Sequence, residues 1–270
     1  MTTAPIIEVR GLTHTYGEGA GAHKAIEDVG FTLDEGQALA IVGPSGAGKT
    51  TLLRCLAGLI TPSGGEIRIA GIRSSGIPKG ISVVFQDYSS SLFPWLRVGP
   101  NVMFPLRGKR LPRAEIRARA MSVLELVGLP DVWKKYPWQL SGGMQQRVAI
   151  ARALVTQPRL LFMDEPFASV DAQTRADLED LVLRVRAATR TSVVTVTHDI
   201  DESVYLSDVI IVLSGTPSTV LAAESVHLPY PREQLDTKRT GEFLDVRQRV
   251  YQLIHKTDAP SATEPQPASR

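Results

Sequence analysis

The chain predicts an α/β fold, a parallel β-sheet with helices packed on its faces. Two observations carry that prediction. Short apolar runs of strand length alternate with longer segments whose apolar residues recur at helical spacing. At one junction, residues 43–50 (GPSGAGKT), a glycine-rich loop sits between such a run and such a helix.

Residues 6–12, mostly apolar with polar interruptions, predict the first strand. Residues 37–43 (QALAIVG), an apolar run closed by glycine, predict a buried strand. In 49–58 (KTTLLRCLAG) the apolar positions fall at helical spacing and Gly58 supplies the stop. Residues 66–70 and 81–86 predict further strands. Residues 111–129 predict a helix with Pro112 near its start, an apolar stripe of Ile116, Ala120, Val123, Leu124 and Val127, and Gly128 at its end. Three more strand-like runs follow at Leu160–Asp164, 192–197 and Val209–Leu213, with a helical segment, Ala172–Thr189, between the first two. Phe243, Val246, Val250, Leu253 and Ile254 share one face of a closing helix. The Pro/Ala/Ser-rich segment 257–270 has no apolar periodicity and predicts disorder.

Composition excludes several classes. The chain has 270 residues, 43% hydrophobic and 21% charged, enough for one large core with appendages. Thirty basic residues against 28 acidic ones give a net charge of +2, which argues against a polybasic nucleic-acid coat or an acidic tail protein. A single cysteine, Cys55, forbids an internal disulfide and suits a reducing compartment. The first ten residues carry no secretory-signal pattern. No window approaches the ~18 apolar residues that span a bilayer.

The loop Gly43, Pro44, Ser45, Gly46, Ala47, Gly48, Lys49, Thr50 is a full phosphate-loop match, with Thr51 next in the helix. Its glycines let the backbone bend and turn N–H groups toward phosphate oxygens, and the helix adds the positive end of its dipole. Lys49 can reach the β and γ phosphates, and the Thr50 hydroxyl can ligate Mg²⁺. Further on, Leu160–Asp164 and Glu165 (LLFMDE) put two carboxylates at a strand end. Asp164 suits the Mg²⁺ shell, and Glu165 can polarise an attacking water. An acidic turn after a strand is the bland alternative. His198, closing a strand in VTHD, and Gln86, ending SVVFQ, are ambiguous alone, although strand ends of such a sheet are where ligands bind.

Residues 140–147 read LSGGMQQR and run into the helical VAIARAL. Ser141, Gly142 and Gly143 at that helix start form a second anion site. Two phosphate-binding helix starts in one chain imply two ligands or a site completed by another subunit. At this point the sequence strongly resembles the ATP-binding subunit of an ABC transporter, over residues 6–255. The resemblance implies a P-loop NTPase fold with a mixed sheet and RecA-like core, an antiparallel β subdomain and an α-helical signature subdomain at about 87–157. It implies an ATP-binding domain at 6–230 and a C-terminal extension with a helix at 231–256. Carried over by residue, Tyr16 matches the aromatic that stacks on adenine, 43–50 the Walker A loop and Leu160–Asp164 the Walker B strand. Gln86 matches the glutamine sensing Mg²⁺ and water, Ser141, Gly142, Gly143, Met144 and Gln145 the signature, and 169–171, with Asp171, the D-loop. Glu165 matches the catalytic base and His198 the switch histidine.

The same resemblance implies ATP and Mg²⁺ as cofactors and a head-to-tail homodimer in which each ATP lies between one copy's phosphate loop and the other's Ser141–Gly143. It implies two integral membrane permease subunits, a periplasmic or extracellular solute-binding protein as indirect partner, no nucleic acid, and a peripheral place on the cytoplasmic face of the inner membrane. LSGGM, FPWL (93–96) and 228–254 resemble the branch importing nitrate, sulfonates and taurine; importers of a pyrimidine or thiamine precursor stay open as an alternative. The pattern departs from many relatives at Met144, in the D-loop (SVD), at Pro100 and in the extra serines 89–91. Phe93 and Trp95 are read as exposed anchors for the permease, with core burial as the alternative. The basic stretch Arg107, Lys109, Arg110, Arg113, Arg117 and Arg119 reads as a solvated face, or as one drawn to anionic headgroups. A soluble ABC ATPase acting on nucleic acid or ribosomes would carry tandem cassettes or a coiled coil, and a sensor without turnover would not need Gln86, Glu165 and His198 together.

Overall fold

The computed structural model describes residues 5–87 and 91–256; Ser89, Ser90 and the segment 257–270 lie outside them. Two sheets make the scaffold. The larger has six strands: β3 (Ala38–Val42), β6 (Ile81–Val84), β7 (Leu160–Asp164), β8 (Ser192–Val196), β9 (Val209–Leu213) and β10 (Val220–Ser225), in the spatial order β10-β9-β3-β8-β7-β6. The pairs from β9 to β6 are parallel, and β10 runs antiparallel at the edge. The smaller sheet is antiparallel: β1 (Ile7–Tyr16), β2 (His23–Leu33), β4 (Gly64–Ile69) and β5 (Ile72–Arg73), in the order β2-β1-β4-β5.

The central strands are buried on both faces, which is why they read as mainly apolar runs. The two-residue period sorts them. Ala38, Ala40, Val42, Leu161, Met163, Val193, Ile210 and Val212 join one core with the helices. Leu39, Ile41, Leu160, Phe162, Val194, Val196, Ile211 and Leu213 join another with the antiparallel sheet and α1 (Lys49–Leu56). Sliding any of these strands by one residue would exchange its two sets of side chains.

Between β6 and β7 lie α2 (Val98–Met103), α3 (Arg113–Leu126) and α4 (Gly142–Leu154), packed on one another and on the first core. The stripe expected on α3 is where the sequence puts it: Ala120, Leu124 and Val127 are buried, with Ile116 and Val123 packed alongside. The adjacent basic stretch is partly engaged, since Arg119 pairs with Glu115 while Arg107 and Arg117 lie over Phe104 and Trp133. After β7 come α5 (Ala172–Thr189), α6 (Ile200–Leu206), α7 (Gln234–Lys238) and α8 (Gly241–Lys256). Phe243, Val246 and Val250 of α8 are buried in the same core as α6. Arg232, with its side chain fully enclosed, donates to the Tyr205 and Ser207 carbonyls at 2.8 and 2.9 Å, pinning the C-terminal segment to the end of α6.

Three expectations need correction. The strand read to Gln86 stops at Val84, because β6 has one neighbour and its pairing with β7 ends at Met163. The strand read to Thr197 stops at Val196, so His198 stands two residues past it. The first strand runs on to Tyr16. No helix among the described residues is long and apolar enough to cross a membrane.

Candidate functional site

Four parallel strands deliver the chemistry at their carboxyl ends, where α/β sheets hold ligands. The loop after β3 carries 43–50, β6 is followed by Gln86, β7 ends in Asp164 with Glu165 next, and β8 is followed by His198. Ser45, Gly46, Ala47, Gly48, Lys49, Thr50, Thr51, Glu165 and His198 line one cavity of about 520 Å³.

The loop depends on glycine for its shape. Gly48 caps α1 at φ 69°, and a Cβ there would stand 3.0 Å from the Ala25 carbonyl oxygen, so glycine is required twice over. Lys49 is nearly buried and folds back on its own loop, donating to the carbonyls of Gly43 at 2.9 Å and Pro44 at 2.8 Å. Burial lowers its pKa, opposed by the charges of Glu165 and Asp164. A phosphate in the loop would offer this ammonium anionic oxygens in place of neutral carbonyls.

Thr50 Oγ1 donates to Asp164 Oδ1 at 3.0 Å. Burial raises the Asp164 pKa, with the Thr50 hydrogen bond as the largest opposing influence. A hydroxyl and a carboxylate in contact are hard oxygen donors, the set Mg²⁺ uses when nucleotide phosphates and water complete its shell. Among the described residues no group of three or more His, Cys, Asp and Glu side chains could hold a metal alone.

Glu165 is the junction. Its Oε2 accepts from Gln86 Nε2 at 3.3 Å and lies 3.3 Å from His198 Nδ1. Its backbone has φ 43°, a left-handed conformation costing about 1–2 kcal/mol for a residue with a Cβ. Two bonds hold it there. Glu165 N donates to the Val196 carbonyl at 2.9 Å, and the buried Gln146 donates to the Pro166 carbonyl at 2.7 Å. Backbone strain of this kind concentrates at functional sites.

Tyr16 is 41% exposed at the rim, its hydroxyl 3.2 Å from Thr51 Oγ1 and its ring edge-on to His14 at 4.5 Å. It does not line the cavity. Neither do Ser141, Gly142, Gly143, Met144 and Asp171. Ser141 N-caps α4, accepting from Met144 N at 3.4 Å, and with Gly142 stands exposed. The Met144 side chain packs against the first core. Gly143 is needed for contact: a Cβ there would lie 2.4 Å from Thr174 Cγ2. Asp171 N-caps α5, and the backbone N–H and then the hydroxyl of Thr174, at 3.0 and 2.7 Å, hold its carboxyl below the usual range. The chain therefore brings together the phosphate loop, Asp164, Glu165, Gln86 and His198, and leaves the Ser141 helix start on an outer surface.

Several supporting residues escape a sequence reading. Thr216 donates to the Gly46 carbonyl at 2.9 Å and Ser218 to that of Ala47, so the β9–β10 turn braces the phosphate loop. Gln146 and the Thr197–Asp199–Glu202 group behind His198 are equally silent, because their partners are distant in sequence or face inward.

Residues 26–168 match the family model described as ABC transporter. The chain is 45% identical over 243 residues to "Aliphatic sulfonates import ATP-binding protein SsuB 1" of Xanthomonas axonopodis pv. citri, covering 90% of this chain and 95% of that protein. It is 39% identical to the SsuB protein of Bacillus subtilis, covering 86% and 88%. Among solved structures it resembles the dimeric post-hydrolysis state of the ATP-binding cassette MJ0796 bound to ADP and Pi, with TM-score 0.71, 31% identity and coverage of 82% and 98%. It also resembles cbiO1 of Clostridium perfringens, part of an ABC transporter complex, with TM-score 0.76, 26% identity and coverage of 94% and 99%.

Proposed function

The chain belongs to the ABC transporter family of ATP-binding proteins, and from that premise we propose that it is the ATP-hydrolysing subunit of an importer for aliphatic sulfonates or a similar small anionic solute. One observation carries the reading furthest. The cavity unites a phosphate loop with a strained, doubly contacted carboxylate, while a second anion-ready helix start faces outward on the same chain.

In this reading the backbone N–H groups of 45–50 and the Lys49 ammonium hold the ATP phosphates, and Tyr16 stacks on the base. Thr50, Asp164 and Gln86 would hold Mg²⁺, which supplies charge neutralisation on the phosphate oxygens. Glu165 accepts the proton of the attacking water, and Gln86 and His198 orient its carboxylate. Ser141, Gly142 and Gly143 of a second copy close the site over the γ-phosphate, and Asp171 orders the loop beside them. The dimeric MJ0796 cassette among the similar structures supports the pairing of two copies. ATP then draws two copies together, and cleavage releases them.

The load on that motion is a pair of permease subunits fed by a solute-binding protein, with the cassette peripheral on the cytoplasmic face. A hollow of about 360 Å³ lined by Val83, Phe85, Phe93, Phe104 and Arg152, among others, supports a docking surface there. Trp95 beside it is 71% exposed, as an anchor would be, while Phe93 is half-buried between Trp95 and Phe104. The helical subdomain at about 87–157 would carry that surface.

The test is reconstitution. Co-purified with a pair of candidate permease chains, the protein should drive ATP-dependent uptake of an alkanesulfonate into proteoliposomes. Uptake of an unrelated solute alone would overturn the cargo; steady phosphate release with no associated permease would overturn the importer.

A further inference from the structure

Behind His198 lies a buried hydrogen-bonded bracket whose end is a carboxyl group that the reaction does not use. Glu202, on the first turn of α6, is 4% exposed, and its Oε2 accepts from Thr197 Oγ1 at 3.0 Å. The same Thr197 oxygen accepts from Asp199 N at 3.0 Å. Asp199 in turn caps α6, accepting from Glu202 N at 3.1 Å, and is held from α5 by Arg175 at 3.0 Å. His198 is thus the one residue between the two arms of a closed loop, Thr197–Asp199–Glu202.

From this geometry we propose that Glu202 is a positioning residue for His198, setting the distance of its ring from the Glu165 carboxylate. The inference rests on reading His198 and Glu165 as reaction partners. His198 itself is 61% exposed, and beyond its contact with Glu165 the ring depends on its own backbone for its place. The bracket fixes that backbone on both sides.

The charged surroundings say which protonation state does the holding. Glu202 faces Asp199 on its own loop and Glu179 on α5, both acidic, while Arg175 is committed to Asp199. Glu179 is occupied by Lys238 and Gln234 of α7, and Asp201 by Arg247 of α8. Glu202 Oε1 has no protein partner. Burial, reinforced by Glu179 and Asp199, pushes the Glu202 carboxyl up to about 8. At neutral pH burial therefore favours the protonated carboxyl, so Glu202 adds no charge to the bracket. Above about pH 8 it acquires a charge set against two other carboxylates, which pushes the loop apart.

Glu202→Gln keeps an oxygen that accepts from Thr197 and cannot ionise. Steady-state phosphate release should show a kcat that falls above about pH 8 in the wild type and holds level in Glu202→Gln. Thr197→Val, close in shape but without the hydroxyl, should lower kcat roughly 10- to 100-fold with KM within about twofold, as a misplaced catalytic group does. In nucleotide-free protein, the Cε1 proton of His198 followed by NMR should carry a step with the same midpoint in the wild type that Glu202→Gln lacks. Superimposable pH–rate profiles, a Thr197→Val variant with unchanged kcat, or a His198 signal indifferent to Glu202→Gln would each overturn the assignment. A wild-type protein that releases no phosphate would instead overturn the ATPase reading, and the NMR comparison would still decide the role of Glu202.

Discussion

Replacing Glu165 with glutamine separates the proton acceptor from the scaffold around it. The side chain keeps its shape, and its amide oxygen can still accept from Gln86, 3.3 Å away in the present arrangement. Its backbone bond to Val196 is untouched. What disappears is the group proposed to take a proton from water, a contribution of about 10²–10⁴-fold, or about 3–5 kcal/mol of barrier. Binding should change far less. Removing one negative charge beside the phosphate site is worth about 1 kcal/mol at 4 Å under water-like screening, and that favours ATP. Lys49 loses the carboxylate that most opposes its desolvation, which acts in the other direction. Nucleotide affinity should therefore stay within about fivefold while turnover falls at least about a hundredfold. Phosphate release under saturating ATP and equilibrium titration with a fluorescent ATP analogue read the two quantities separately. Turnover within twofold of the wild type would remove Glu165 from the base role; affinity lost in proportion to turnover would make it a binding residue instead.

Lys49→Ala should show the opposite pattern, weakening nucleotide binding at least about tenfold in the same titration, since it removes a charge-assisted contact worth about 1.5–3 kcal/mol. Tyr16→Ala should cost about 1–3 kcal/mol of affinity through lost stacking, whereas Tyr16→Phe, which forfeits only the hydroxyl near Thr51, should cost a few-fold. Gly143→Ala should lower the thermal midpoint through a clash worth about 1–3 kcal/mol, because the hydroxyl of Thr174 is tied to Asp171 and its methyl cannot swing clear. Adding Thr174→Ser should restore most of the loss, and a midpoint unmoved by Gly143→Ala would show that the two helix starts are not in firm contact.

The central strands are legible because burial on both faces leaves mostly apolar residues to read: β9 begins and ends where the composition changes, and β7 runs one residue past its apolar stretch, to Asp164. The strands that escaped notice are those whose pattern is broken. β2 carries Asp28 at φ 49° and pairs with β1 through several register shifts, so its alternation is interrupted. β10 is a half-exposed edge strand, and α2 and α6 are too short to show a period. The site divides along the same line. Phosphate-loop chemistry is local, so a contiguous stretch announces it. Gln146 reaching Pro166, or Thr216 reaching Gly46, joins residues that only the fold brings together. Gln86 and His198 read as strand ends although their strands stop before them, because the apolar run and the reactive residue adjoin in sequence while the sheet stops sooner.

In the proposed mechanism two polypeptides share one triphosphate. A structure of the Glu165→Gln variant with ATP and Mg²⁺ tests this most directly. It should show two copies related by a two-fold axis, with Ser141 Oγ and Gly143 N of one copy at hydrogen-bond distance, about 2.7–3.2 Å, from a γ-phosphate oxygen cradled by Lys49 of the other. A γ-phosphate enclosed by a single chain, with Ser141 facing solvent, would contradict it.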